Sequence, residues 1–212
     1  MNRLQQKRFL CGSIAACSLV LLSSGCLSYR TGELPDAELS RQDFMSRSKQ
    51  SALITVACQT RSLNENVLGK NVSKAQELRG AFAKVLGEIE PLKSYTFSAN
   101  SGTNANLRIV TTLIAESRGS IVNVCFSVAT LTIIPTTEAT TFSLKTQVYD
   151  SAGKMRGDYE VKDSMRSWLE LLFITLGPWK APEKVEQQLL KNLIRTTLLR
   201  MKDDGILSGP QS

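Results

Sequence analysis

The chain has 212 residues, of which 42% are hydrophobic and 21% charged, enough apolar material for one folded core and too much for a disordered chain. Its formal charge of +7 falls to +4 once Arg3, Lys7 and Arg8 in the leader are set aside, and the remaining Lys and Arg are scattered rather than clustered, which argues against a nucleic-acid partner. There is no histidine, so Ser-His-Asp and Cys-His machinery and His-based zinc sites cannot be built from this chain alone.

The first 25 residues have the layout of a secretory signal. Asn2 to Arg8 carries three positive charges, Phe9 to Leu22 is an uncharged and mostly apolar run of 14 residues, and Ser23-Ser24-Gly25 leads to Cys26. The apolar run is shorter than the ~20 residues that cross a bilayer as a helix. Leu22-Ser23-Ser24-Gly25-Cys26 resembles the lipobox of bacterial lipoproteins, with the departure that Leu stands one residue early and Ser23 takes its usual place. The resemblance covers about 26 residues, and no family is recognised for the domain beyond. It implies cleavage before Cys26, acylation of Cys26 and retention at a membrane by two or three acyl chains, each buried methylene contributing about 0.8 kcal/mol. By similarity to Gram-negative lipoproteins, Leu27 after the cysteine implies the periplasmic face of the outer membrane, with the inner membrane as the alternative.

Residues 26–50 are polar and rich in Ser, Arg and Asp, and read as a lipidated N-terminus followed by a flexible tether. A globular domain is expected over 51–206, with a short tail at 207–212. Leu53 to Cys58 is apolar on both faces, as a central strand would be. Ser73 and Gln76 have the spacing of a capping box, and Ala75, Leu78, Phe82, Val85, Leu86 and Ile89 recur at helical spacing until Pro91. Short strands are expected over 92–98 and 107–115, the latter with Leu107, Ile109, Leu113 and Ala115 on one face. A longer strand is expected over 121–134, with a bulge or bend near Ala129.

The segment 142–161 predicts a hairpin. Phe142, Leu144 and Val148 alternate with Ser143, Lys145 and Gln147, Asp150-Ser151-Ala152-Gly153 forms a turn, and Tyr159 and Val161 return opposite Asp158, Glu160 and Lys162. A last helix starts at Pro182 and ends at Gly205, with Val185, Leu189, Leu193, Ile194, Leu198 and Met201 as its apolar stripe. The expected fold is α+β: a single domain with a mostly antiparallel sheet and two helices packed on one of its faces.

Few residues suggest chemistry. Cys58 and Cys125 are candidates for a disulfide, or for two buried thiols. Ser46/Lys49 and Ser151/Lys154 match Ser-x-x-Lys, but both fall in polar segments where no burial would activate the lysine. Asp150, Asp158, Glu160 and Asp163 read as a solvated charge ladder rather than acid/base or calcium ligands. No cofactor or metal is implied. Trp168 to Trp179 holds one charge, Glu170, and its Trp168, Leu172, Phe173 and Trp179 mark either core or a contact with membrane or a partner; the apolar run 131–135 is similar in kind. The functional expectation is a non-enzymatic accessory, regulatory or scaffolding lipoprotein of the cell envelope, held to the membrane by its lipid and acting on another envelope protein. A peptidoglycan- or anionic-polymer-binding lipoprotein is the alternative, and a cell-wall or lipid hydrolase a third.

Overall fold

Period-2 patterning dominates the chain, and in the computed structural model it resolves into a six-stranded mixed sheet in the order β1-β6-β5-β4-β2-β3. The structure describes residues 25–32, 34–45, 49–61, 67–98, 105–118, 136–170 and 182–207. The strands are β1 (Gly25–Arg30), β2 (Ser51–Arg61), β3 (Ser94–Phe97), β4 (Leu107–Arg118), β5 (Thr136–Asp150) and β6 (Met155–Glu170); the helices are α1 (Gln42–Met45), α2 (Val67–Ile89) and α3 (Pro182–Asp203). The chain divides into two compact units. One comprises 30–118, 140–165 and 186–212; the other comprises 1–29, 119–139 and 166–185. The first holds α2, the greater part of α3 and most of the sheet.

β2 pairs in parallel with both β3 and β4. The remaining pairings are antiparallel. Thr111 faces Thr146 and Ser117 faces Thr140 across β4 and β5. The 150–154 turn closes β5 onto β6, and Thr31 N donates to Ser164 O just beyond β1. Three antiparallel pairings among five make the sheet mostly antiparallel, as expected. The parallel pairing of β2 with β3 follows from the helix between them, a crossover that returns the chain in the same direction.

One sheet face carries the core. The register sets Ile54 beside Ile109, Val56 beside Thr111 and Cys58 beside Leu113, and Phe142, Leu144, Val148, Tyr159, Val161 and Met165 continue that buried layer on β5 and β6. Leu53 is also buried, on the opposite side of β2, whereas Ala57 and Gln59 on that side are exposed. The two hydroxyls in the core layer, Thr111 and Thr146, lie 3.2 Å apart and satisfy each other.

Both long helices cover this face. α2 buries Leu78, Phe82, Val85, Leu86 and Ile89. It begins at Val67, so Ser73 sits inside the helix and the capping-box reading of Ser73 and Gln76 does not hold; spacing alone carried it, and the backbone continues the helix six residues upstream. It stops where Glu90 takes a φ of 46° ahead of Pro91. α3 buries Leu189, Leu190, Leu193, Ile194, Leu198 and Met201. Its end is a Schellman motif: Gly205 at φ 71°, Gly205 N bonded to Lys202 O and Ile206 N to Met201 O, both at 3.0 Å. Ile206 and Met201 are both buried, the apolar contact expected of that motif. Lys74 pairs with Glu186, and Glu88 with Lys191 and Arg195, so the helices lie side by side and run the same way.

Leu193 is fully buried at the centre of this layer. Leu193→Ala is therefore expected to lower unfolding stability by about 2–5 kcal/mol with an unchanged denaturant slope, measured by urea titration.

Candidate functional site: a strapped N-terminal segment beside the last helix

The segment expected as a free tether is bound along most of its length. Arg30 donates from Nε to Asp163 Oδ2 at 2.9 Å, its Nη2 lies 2.7 Å from the same oxygen, and it also pairs with Asp36 and with Leu34 O. The Asp163 side chain has no exposed surface. Gly32 passes so close that a Cβ there would lie 1.8 Å from Asp163 Oδ1, so only glycine fits. Further on, Asn192 of α3 clamps the backbone from both sides, donating Nδ2 to Pro35 O at 3.0 Å and accepting Ala37 N at Oδ1 at 2.8 Å.

The short helix α1 completes the strap. Phe44 is 2% exposed, an anchor in an otherwise polar stretch, and the Lys202 ammonium lies 5.8 Å from its ring. Lys202 donates to Asp43 at 2.6 Å, Ser40 donates N and Oγ to the other Asp43 oxygen, and Arg41 reaches Glu90 at 2.7 Å. Hydrogen bonds from Lys202 first and Ser40 next hold the Asp43 carboxyl down to about 2. The polarity of 26–50 argued for solvent, but the backbone at Pro35 and Ala37 meets the Asn192 amide and the Asp43 carboxylate meets Lys202, both on α3 more than 150 residues away in sequence.

Between strap and helices lies an open cleft of about 820 Å³, lined among others by Arg30, Asp36, Asp43, Glu88, Lys191 and Arg195. Three of its carboxylates are ion-paired: Asp36 to Arg30, Asp43 to Lys202, and Glu88 to Lys191 and Arg195. Lys191 titrates below the ordinary lysine range, through desolvation first and then through Lys84 and Arg195 nearby. Paired carboxylates of this kind brace the strap and helices. Among the described residues no three His, Cys, Asp or Glu side chains gather as metal ligands.

The remaining sequence candidates are dispersed. Cys26 falls in β1, which belongs up to Tyr29 to the second unit. Cys58 is a buried free thiol on the core face of β2, its pKa raised by burial against the weaker opposing charge of Lys74. Trp168 lies in β6; Cys125, Leu172, Phe173 and Trp179, and the expected strand over 121–134, lie outside the described residues. Ser151 and Lys154 are exposed in the hairpin turn, where Asp150 Oδ1 accepts Ala152 N and Lys154 N and simply shapes the turn. Asp158 and Glu160 stand on the wet face, and Glu160 is bound by Lys162 at 2.9 Å, Lys145 at 3.7 Å and Ser143 Oγ at 3.0 Å. These contacts, Lys162 first, keep Glu160 below the usual carboxylate range, as a charge ladder requires.

Asp163 corrects the ladder reading. It shares parity with Tyr159, Val161 and Met165 and so faces the core, a placement that alternation along β6 signals directly. Phe44, an aromatic residue in a mainly polar stretch, is the residue that marks the strap in the sequence; nothing marks Asn192 or Gly32 as its partners.

No helix among the described residues is long and apolar enough to cross a membrane. No protein-family model matches the chain, and no curated protein matches it. Solved structures with a similar arrangement include a hypothetical protein of Chlamydia trachomatis (11% identity, 76% of this chain and 98% of that chain, TM-score 0.41). They also include the lipoprotein GNA1162 of Neisseria meningitidis (13% identity, 72% and 99%, TM-score 0.36) and a minor lipoprotein of Acinetobacter baumannii (12% identity, 76% and 96%, TM-score 0.33).

Two outcomes are expected from the strap. Arg30→Ala leaves a buried carboxylate unpaired and is expected to lower stability by about 3–5 kcal/mol in urea titration, while Arg30→Ala combined with Asp163→Ala recovers part of the loss. Asp43 titrates lower when folded than when unfolded, so its bonds to Lys202 and Ser40 stabilise the strap above about pH 4 and are lost as pH falls toward 2. Amide exchange over 40–45 should accelerate across that window, and Asp43→Asn should abolish the acceleration.

Proposed function

We propose that this chain is a bacterial envelope lipoprotein, acylated on Cys26, whose domain acts as a non-enzymatic accessory or scaffolding module for another envelope protein. The observation that carries it is Leu22-Ser23-Ser24-Gly25-Cys26 behind a basic head and a 14-residue apolar run. The domain is in keeping with that role: Asp36, Asp43 and Glu88 in the cleft are held in ion pairs, and the buried thiol Cys58 lies on the core face of the sheet. A module that works by contact needs shape and a fixed surface, and the strap supplies both.

The site of attachment within the envelope is assigned from Leu27, which favours the periplasmic face of the outer membrane over the inner membrane. Trp168, Leu172, Phe173 and Trp179 are assigned to contact with lipid or with the partner, because the run from Trp168 to Trp179 carries Glu170 as its one charge and is bounded by tryptophans of the kind that sit at membrane surfaces. The cleft does not favour a polyanion as ligand: Asp36, Glu38, Asp43 and Glu88 offset Arg30, Lys191 and Arg195 along its lining.

Globomycin, which blocks removal of lipoprotein signals, is expected to cause accumulation of the uncut precursor in cells expressing this chain, and Cys26→Ser to move the protein from the membrane to the soluble fraction. Unchanged fractionation of Cys26→Ser would overturn the assignment.

A further inference from the structure

Positive charge in excess of its partners collects at one place along the cleft. On the helical wall, α3 presents Gln188, Lys191 and Arg195 on successive turns, and α2 presents Glu88. Lys84 stands one turn before Glu88, exposed, and its ammonium comes within hydrogen-bonding reach of that of Lys191. These residues, and the strap opposite them, belong to the same compact unit.

Three cations therefore gather around one carboxylate, and Glu88 satisfies them only in part. Arg195 bonds to it through Nη2 alone, at 2.8 Å, rather than by two parallel bonds. The Lys191 ammonium lies 3.8 Å from Glu88, an ion pair too long to be a hydrogen bond. Lys84 makes no ion pair among the described residues. The other cations along the cleft are fully engaged: Arg30 bonds to Asp163, Asp36 and Leu34 O, and Lys202 reaches Asp43 at 2.6 Å. The Lys191 and Arg195 side chains are 29% and 34% exposed, so water screens the crowding of like charge only in part. Desolvation first, and then the contact with Lys84, hold the Lys191 ammonium below its ordinary range; an anion between the two lysines relieves that contact.

We propose that the helical wall of the cleft is a binding site for a phosphate monoester, held by Lys84, Lys191 and Arg195. Three cations against Glu88 leave an excess of two positive charges. That excess matches the roughly −1.5 to −2 charge of a phosphate monoester near pH 7 better than it matches the single charge of a carboxylate. The phosphate oxygens accept the donors that Glu88 leaves unused, on both lysines and on the guanidinium of Arg195. A cleft of about 820 Å³ admits a small organic phosphate. The strap carboxylates Asp36, Glu38 and Asp43 oppose a chain of phosphates, so the site takes one group rather than an extended polyanion. The binding does not depend on the lipid at Cys26.

The test is calorimetric titration of glycerol 3-phosphate into the full-length mature protein in detergent, at constant ionic strength, with acetate as the carboxylate comparison. Glycerol 3-phosphate is expected to bind saturably and at least about fivefold more tightly than acetate. At about tenfold excess over Kd it should raise the unfolding temperature by about 3 °C or more. Lys84→Gln alters an exposed side chain and leaves the core untouched; it is expected to weaken binding about fivefold or more. Lys154→Gln removes the same charge from the exposed hairpin turn, outside the cleft, and is expected to leave binding unchanged. Absence of saturable binding, equal affinity for acetate, or equal loss in the two variants would overturn the site. Phosphatidylcholine vesicles with and without phosphatidic acid separate the sources of the group. Displacement of bound glycerol 3-phosphate by the phosphatidic acid vesicles alone assigns it to a lipid headgroup, and no displacement by either assigns it to a soluble ester.

Discussion

A carboxylate with no exposed surface has to be matched, and at Asp163 the match comes from Arg30, 133 residues earlier in the chain. Breaking such a pair strands a charge in a poorly solvated place, which costs far more than losing an exposed ion pair. That constraint shapes the arrangement around it. Gly32 must be glycine because the backbone runs against the Asp163 oxygen, and β1 must pair with β6 because Arg30 lies at its end. The chain after Gly32 is thereby delivered to α3, where Asn192 and Lys202 receive it.

The strap turns a polar stretch into part of the fold. Its side chains contribute little apolar area apart from Phe44, so it is held by directed bonds: amide to backbone at Asn192, ammonium to carboxylate at Lys202, guanidinium to carboxylate at Arg41. Bonds of this kind add up only when the surface that receives them is itself rigid. α3 provides that rigidity, because its apolar stripe is buried and its end is fixed by the Gly205 turn and by Tyr159, whose hydroxyl donates to Asp204 at 2.6 Å. Burial and that bond to Asp204 hold the Tyr159 hydroxyl protonated well above its ordinary range.

The cleft between strap and helices keeps a constant relation to the strap, since several of the residues that line it also hold the strap in place.

The sequence alone determined the elements whose signal is local and periodic. Alternation in 142–161 places Phe142, Leu144, Val148, Tyr159 and Val161 inside, and helical spacing in 182–205 places Leu189, Leu193 and Ile194 inside, because side-chain direction is set by backbone period with no reference to the rest of the chain. The lipobox resemblance, too, is a short contiguous string. The tertiary structure decided what depends on distant partners: that β2 runs parallel to both of its neighbours, that Asp163 is paired inside rather than solvated outside, and that residues 30–45 are bound rather than free. A polar residue in a sequence looks the same whether water or Asn192 satisfies it, and only the folded arrangement of α3 and β6 determines which one does.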